Sequence, residues 1–371
     1  MNPPTAIDTE SFAARARAFA AIHAGRATET LVPNLHARVE TISTAAGELP
    51  VTVHPGRAAD AWVCSPRTTY ADCAGEESAR YLPAWAASLA QPAIASLGKT
   101  LQWAGIDHAV AINNWLLSTN LYPALASIDL ATLLEEACRR WPRHTLWLRS
   151  LNDHDNRDWL QALEAAGCQL VASRQVYLYQ DLAALAGRHQ NLRRDLALLH
   201  KTSLQPCADT DIVEPDYPRI AELYALLYIG KYSRFNPVYA DQFLRHWHRA
   251  GLLRFEGFRD ADGRLACVVG LFRQGPLVTA PIVGYDTAQP QKAGLYRLAT
   301  ACVYRACIEH GWRLNFSAGA AGFKRLRGGM ASIEYSAVYA RHLPRRTRLA
   351  VAALSAATCR VGVRLLRRYR L

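Results

Sequence analysis

The sequence predicts an α/β protein of two related halves, each a mixed sheet with helices packed on it. One observation is a strand, helix, strand order that occurs over residues 144–179 and again over residues 277–315. The second is a length of 371 residues, more than a single core usually spans. The third is composition: 50% of the residues are hydrophobic and 20% charged, the balance of an ordinary globular protein.

The elements follow in chain order. Residues 11–24 predict a helix, and LHARVETIS and LPVTVHP read as strands. Residues 61–83 read as a loop around Ser65-Pro66, with helix over 76–90. HAVAINNWLLSTNLYP predicts a buried strand ending in a polar turn at Asn113, Asn114, Ser118 and Asn120. Residues 130–140 form a helix with Asp129 as N-cap. HTLWLRSLN is a strand, with Leu146 and Leu148 alternating against Trp147 and Arg149. A helix over 156–166 carries Trp159, Leu160 and Leu163 on one face and stops at Gly167. CQLVASRQVYLY reads as a strand pair, and RHQNLRRDLALLHK (188–201) as one basic connecting helix. A helix over 219–228 leads to the loop GKYSRFNP, whose Asn236 and Pro237 predict the N-cap and first position of the next helix. Antiparallel strands follow, turning at Asp262-Gly263 and Gly275-Pro276.

Charge is uneven. Residues 1–185 carry 14 Lys+Arg and 18 Asp+Glu, residues 186–344 carry 21 and 13, and residues 345–371 carry 8 and none. The second half and the tail are therefore the parts that face anions, which admits a phosphorylated cofactor, an acidic carrier protein, nucleic acid or a membrane surface. Nine cysteines without a CxxC predict reduced thiols rather than a disulfide framework or zinc ribbon. The first residues lack the order of a signal peptide, and no apolar run approaches the ~20 residues of a membrane span. The expected location is the cytoplasm. No metal motif occurs, and His246 and His248 are spaced onto different faces of their helix.

Candidate site residues concentrate in 277–329. The turn Gln291, Lys292, Ala293, Gly294 precedes a helix that begins Leu295, Tyr296, Arg297. Exposed N–H groups and the positive end of the helix dipole suit a phosphate there, with Lys292 and Arg297 adding charge. An ordinary strand–helix connection with a solvated lysine has the same pattern. Lys231, Tyr232, Ser233 and Asn236 place polar groups in one loop, as a substrate wall or a plain helix connection. Gly284-Tyr285-Asp286-Thr287 ends a strand. Tyr285 and Asp286 are candidate proton donor and acceptor, or plain turn residues.

The turn at Gln291, Gly294 and Tyr296 resembles the acyl-CoA signature of the GNAT acyltransferase superfamily, Gln/Arg-x-x-Gly-x-Gly/Ala, with Tyr296 replacing its second small residue. RLNFSAGAAGFKRLRGG, with Phe323-Lys324, resembles an element of tandem GNAT proteins such as FemAB and the cellulose-biosynthesis-protein-D-like acetyltransferases. The resemblance implies two tandem GNAT-like domains: residues 1–185, lacking a donor site, and residues 186–344, bearing it, followed by a basic tail helix, 345–371. If the first half resembles these proteins, its polar NNWLLSTN segment would face a cleft. It implies transfer of an acyl group from a thioester of coenzyme A or acyl-carrier protein to an amine or hydroxyl of a small molecule. Tyr285, Asp286 and Ser317 would serve the chemistry, and Gln291, Lys292, Gly294, Leu295, Tyr296, Arg297 and Lys324 the donor. The resemblance also admits an aminoacyl-tRNA donor or an inactive GNAT-like binding protein. Arg360, Arg364 and Arg367 share a stripe of the tail helix, suited to an anionic inner membrane face, to an acidic carrier protein, or to solvent with the helix packed on the domain.

Overall fold

The computed structural model of the protein describes residues 9–44 and 47–369; Arg370 and Leu371 of the expected tail lie outside that range. The strands are β1 (Arg38–Thr44), β2 (Gly47–Pro55), β3 (His108–Ile112), β4 (Thr145–Asn152), β5 (Gln169–Tyr179), β6 (Gln205–Cys207), β7 (Arg254–Arg259), β8 (Leu265–Gln274), β9 (Leu277–Tyr285), β10 (Arg313–Asn315) and β11 (Met330–Tyr339). The first-half helices are α1 (Thr9–His23), α2 (Cys73–Tyr81), α3 (Ala84–Trp103), α4 (Leu130–Arg140) and α5 (Arg157–Ala165). They are followed by α6 (Leu182–Arg188), α7 (Gln190–Lys201), α8 (Asp216–Leu227), α9 (Asp241–Arg249), α10 (Leu295–His310), α11 (Ala321–Arg325), α12 (Arg345–Ala357) and α13 (Val363–Tyr369).

The strands form a single sheet in the order β1-β2-β3-β4-β11-β5-β10-β9-β8-β7-β6. This order shows how the halves are joined. In each, an antiparallel pair (β2–β3, β8–β9) leads to a parallel neighbour (β3–β4, β9–β10) through one crossover helix, α4 or α10. The last strand of each half then crosses over. β5 pairs antiparallel with β10 of the second half, and β11 with β4 of the first. β5 and β11 also pair with each other over most of their length. The halves thus trade terminal strands and share one sheet. At the exchange, Arg174 stands opposite Glu334, and their side chains are 2.8 Å apart.

Local chemistry explains most elements. The Asp129 side chain accepts from the N–H of Thr132 and starts α4 where the sequence places it. Trp159, Leu160 and Leu163 bury one face of α5. Trp147 and Arg149 are as buried as Leu146 and Leu148, because both faces of the central sheet are covered.

Several expectations change. Residues 61–75, expected as a loop, contain a helical turn over Thr68–Asp72 and the first residues of α2, whose remainder falls in the helix expected over 76–90. Pro83 ends α2, and α3 starts a new, longer helix. The expected strand pair at 168–179 is the single strand β5, whose two edges are taken by β10 and β11. The basic helix expected over 188–201 is α7, starting two residues later at Gln190, and a short separate helix, α6, precedes it. The helix expected to start at Asn236 starts at Asp241. The tail runs as α12, a wider turn over Thr358–Gly362 and α13. By length and composition, the stretch Arg345–Arg368 is enough to cross a membrane, contrary to expectation. The interrupting arginines at 360 and 364 hid this in the sequence.

Candidate functional site

The site is a notch in the sheet. β9 and β10 pair only over Leu277–Thr279 and Arg313–Asn315. Beyond them β9 continues to Tyr285 along β8. The chain after β10 instead leans onto β5, with the N–H of Phe316 donating to Tyr177 O and that of Tyr177 donating to Ser317 O. The β10-facing edge of β9 therefore loses its partner from Ala280 onward. β9 also carries one extra residue between Thr279 and Ile282 relative to β8, around Pro281, which bends the strand there. Alternate N–H groups between Ile282 and Tyr285 point toward the opening rather than toward β8.

Clamps hold the notch open. Ser317 and Ala320 have φ of 56° and 49°, in the left-handed region. Asn315 Oδ1 accepts from the Ser317 N–H. Buried Lys324 donates from Nζ to the carbonyls of Phe316 at 2.5 Å and Ala318 at 2.8 Å, and reaches that of Ser317 at 3.3 Å. Burial presses its pKa down to about 7. Lys324 thus holds the loop from inside, where the sequence suggested a group reaching for the donor.

One wall is aromatic. Tyr296, in the first turn of α10, has its ring 5.9 Å from that of Tyr285 and 4.9 Å from that of Phe323. Burial, with Tyr232, Tyr228 and Tyr179 nearby, raises the Tyr296 phenol well above its ordinary value, so it is an O–H donor at neutral pH. Tyr228 and Tyr232 are 6.0 Å apart in the turn after α8. The structure therefore brings Tyr232, from the turn after α8, beside Tyr285 and Tyr296.

Helix α10 starts after a single 3-10 turn, Gln291–Ala293, with Gly294 at φ 65°. Gln291 and Lys292 are exposed beside that N-terminus. Leu295 points into the core, leaving only its backbone for a ligand. Arg297 is bound at 2.7 Å to Asp195 of α7, which is fully buried and also takes the guanidinium of Arg327. The charge expected of Arg297 is thus largely spent on joining α7 to α10.

Asp286 does not share the notch with Tyr285. Successive strand residues point to opposite sides, and Asp286 meets Arg219 of α8 at 2.8 Å. Its other oxygen accepts from the Ala288 N–H at 3.0 Å. Burial raises its pKa, but the Ala288 N–H and Arg219 outweigh that and hold it below its ordinary value. A carboxylate so placed is a loop clamp and a poor proton acceptor. Its contribution to stability is complete above the unfolded carboxylate pKa and is lost as pH falls through the lowered one. Asp286→Ala is therefore expected to cost about 1 kcal/mol near neutrality and almost nothing in acid below both pKa values. Urea unfolding along an acid titration checks this.

Of the loop residues, Lys231 is exposed, while Ser233 donates to Glu76 of α2. Asn236 accepts from Trp62 Nε1 at 3.0 Å and donates to the carbonyls of Tyr228 and Ser233. It braces the turn from within instead of capping α9. Trp62 was not singled out in the sequence. It lies 4.8 Å from the guanidinium of both Arg149 and Arg174, beside the Arg174–Glu334 pair. No periodic pattern marks these residues, because they come from four separate segments.

The corresponding place in the first half, after β3, is filled. Asn113 donates to Leu121 O and accepts from Trp115 Nε1, and Asn114 donates to Thr52 and Val63. Asn120 is bonded to Asn114 and Trp115. These amides fold their own buried loop and face no cleft, contrary to expectation.

No family model and no curated protein matches the chain. Among solved structures, the chain is similar to the C-terminal domain of a protein described as a lysylphosphatidylglycerol synthetase from Agrobacterium fabrum. The TM-score is 0.50 at 11% identity, covering 95% of this chain and 96% of that one. It is also similar to L-PGS from Bacillus licheniformis, with a TM-score of 0.52 at 9% identity, covering 95% of this chain and 99% of that one. The likeness is one of fold: an α/β protein built on a mixed sheet, the fold class the sequence led us to expect.

Proposed function

We propose that this protein is an acyltransferase that holds the carbonyl of an activated acyl donor in the notch between β9 and β10. The observation that carries this reading is the unpartnered edge of β9. A row of fixed N–H groups at a bend suits an oxygen on which negative charge develops as a nucleophile adds to the carbonyl. An amine or hydroxyl entering from the side of the Tyr228–Tyr232 turn forms the new bond. The bond to the leaving group then breaks, and the phenol of Tyr296 or Tyr285 is placed to return a proton to it. With Asp286 turned to Arg219, the nucleophile's proton passes to water.

Two donor classes fit this chemistry. The resemblance at Gln291, Gly294 and Tyr296 supports a thioester of coenzyme A or of an acyl-carrier protein. The setting of Tyr296 supports the second class, an aminoacyl ester on tRNA. Its ring, boxed by Tyr285 and Phe323, stands at the N-terminus of α10 where a diphosphate would approach. One of the two proteins of similar fold is described as a lysylphosphatidylglycerol synthetase, whose named product carries a lysyl group. We therefore favour the aminoacyl ester.

Thermal-shift titrations of the intact protein separate the readings. The expected result is stabilisation by aminoacylated tRNA and none by acetyl-CoA or long-chain acyl-CoA. Tyr296→Ala, by opening the cradle, is expected to gain a measurable acyl-CoA shift. Stabilisation of the unaltered protein by acyl-CoA alone returns the assignment to the thioester. Stabilisation by no acyl donor at all refutes acyl transfer.

A further inference from the structure

Of the nine large apolar side chains that are exposed among the described residues, six lie on just two helical segments. Trp85, Leu89 and Trp103 project from α3, at 71%, 74% and 66% exposure, and Leu349, Val361 and Leu365 from the α12–α13 helix, at 57%, 57% and 47%. The segments meet where the end of α3 reaches the start of α12. Thr347 Oγ1 donates to Ala104 O at 2.7 Å, and the Arg346 guanidinium lies 5.7 Å from the Trp103 ring. Leu101, Ala104, Leu343, Val351 and Leu354 join one core cluster beneath them. α3 has Lys99 as its sole charged residue, and residues 345–371 have eight arginines and no carboxylate.

We infer that α3 and α12–α13 together form a docking surface for an anionic lipid bilayer. Tryptophans and leucines interleaved with arginines suit the boundary between acyl chains and acidic headgroups, where indole and guanidinium both reach water. Clustered arginines add attraction to an acidic leaflet. A second copy of the chain is a poor occupant, since a two-fold contact would set the same arginine-rich face against itself. Nucleic acid would leave the leucines uncovered. The tail helix lies in the membrane plane rather than crossing it. Its inner face is tied to β5, where Ser355 donates to Leu170 O at 2.6 Å and the Ala172 N–H donates to Thr358 at 3.1 Å. Val351 and Leu354 are buried there.

Docking in this way has a consequence for the notch. α2, the partner of α3, holds Ser233 through Glu76, with Arg234 3.5 Å from the same carboxylate. The acceptor side of the notch therefore borders the lipid-facing hairpin, which suits an acceptor carried in the bilayer. The docking surface itself rests on exposure and charge alone and stands whichever donor the notch takes.

The test is sedimentation of the full chain with vesicles of phosphatidylcholine, with and without phosphatidylglycerol. Binding to the anionic vesicles is expected to exceed binding to the neutral ones by at least roughly tenfold and to weaken as salt rises. Trp85→Ser with Leu89→Ser, and separately Arg360→Glu with Arg364→Glu and Arg367→Glu, are each expected to reduce it by about tenfold or more. All five side chains are exposed, so thermal unfolding is expected to stay unchanged and separates lost docking from lost folding. Equal sedimentation with both vesicle types, or variants that bind as the parent does, overturns the inference. So does a lipid-independent dimer abolished by the same substitutions, which would assign the surface to a second copy.

Discussion

Asp195→Ala is expected to destabilise the protein by about 3–5 kcal/mol, the cost of breaking a buried ion pair from one side. Asp195 is fully buried on α7, and its two oxygens each take a guanidinium, Arg297 from α10 and Arg327 from the turn after α11. Without it, Arg297 turns to solvent at modest cost, because it is already partly exposed. Arg327 has no such escape. It is buried, with its guanidinium over the Phe323 ring and bonded to Phe323 O, and becomes an uncompensated interior charge. Pairing Asp195→Ala with Arg327→Met removes that charge and is expected to restore most of the loss, whereas Asp195→Ala with Arg297→Met restores little. Urea unfolding of the three variants checks the sequence of effects. Equal recovery by the two second-site changes contradicts the argument.

The same triad shows how far the site was legible in the sequence. Gln291, Gly294 and Tyr296 stand within six residues of one another, so the start of α10 announces itself as a pattern. Arg297 belongs to that pattern too, and its charge reads as available. Its neutralisation is invisible, because Asp195 lies a hundred residues earlier on what reads as a plain basic helix. Asp286 misleads in the same way. It follows Tyr285 in the chain, but strand alternation turns it toward Arg219, and only the packing of α8 reveals that partner. Residues that act through distant partners leave no periodic trace.

The fold was more legible, since helix caps and strand periodicity are local. Asp129, Gly167 and the Asp262-Gly263 turn each mark a boundary through their own chemistry. The exchange of β5 and β11 is not of that kind. Each strand has the alternation of an ordinary strand and would pair equally well within its own half. The exchange shows only in the long-range pairings of β5 with β10 and of β11 with β4, which no local signal announces. The long helix α3 was only partly legible, since the helix expected over 76–90 breaks at Pro83 and α3 runs on to Trp103. It is alanine-rich, contains Pro92 and turns its large apolar residues Trp85, Leu89 and Trp103 outward, so its apolar side chains do not mark the buried face as they do on an ordinary surface helix. A lipid surface over those residues accounts for their exposure.

Lys324→Met is expected to reduce stability by about 3 kcal/mol and to abolish donor binding in the notch. The substitution preserves the buried stem but leaves the carbonyls of Phe316, Ser317 and Ala318 without their shared donor. Unsatisfied buried acceptors cost about 1–3 kcal/mol each, and some of the three will find water once the loop relaxes. That relaxation is what closes the notch, because the left-handed backbone at Ser317 is held open only while its neighbours are tied down. A second measurement isolates the lysine's charge. Burial, helped by Arg174, lowers its folded pKa to about 7 from an ordinary 10.5. Between those values the unfolded chain holds a proton that the folded chain has released, so stability rises with pH across that window, by at most about 1.4 kcal/mol per unit. Urea unfolding at pH 7, 8 and 9 is expected to show this slope in the parent and not in Lys324→Met. A parent whose stability is flat over the window means that the three carbonyls keep the lysine charged throughout. The loop clamp is then a buried cation rather than a titrating amine.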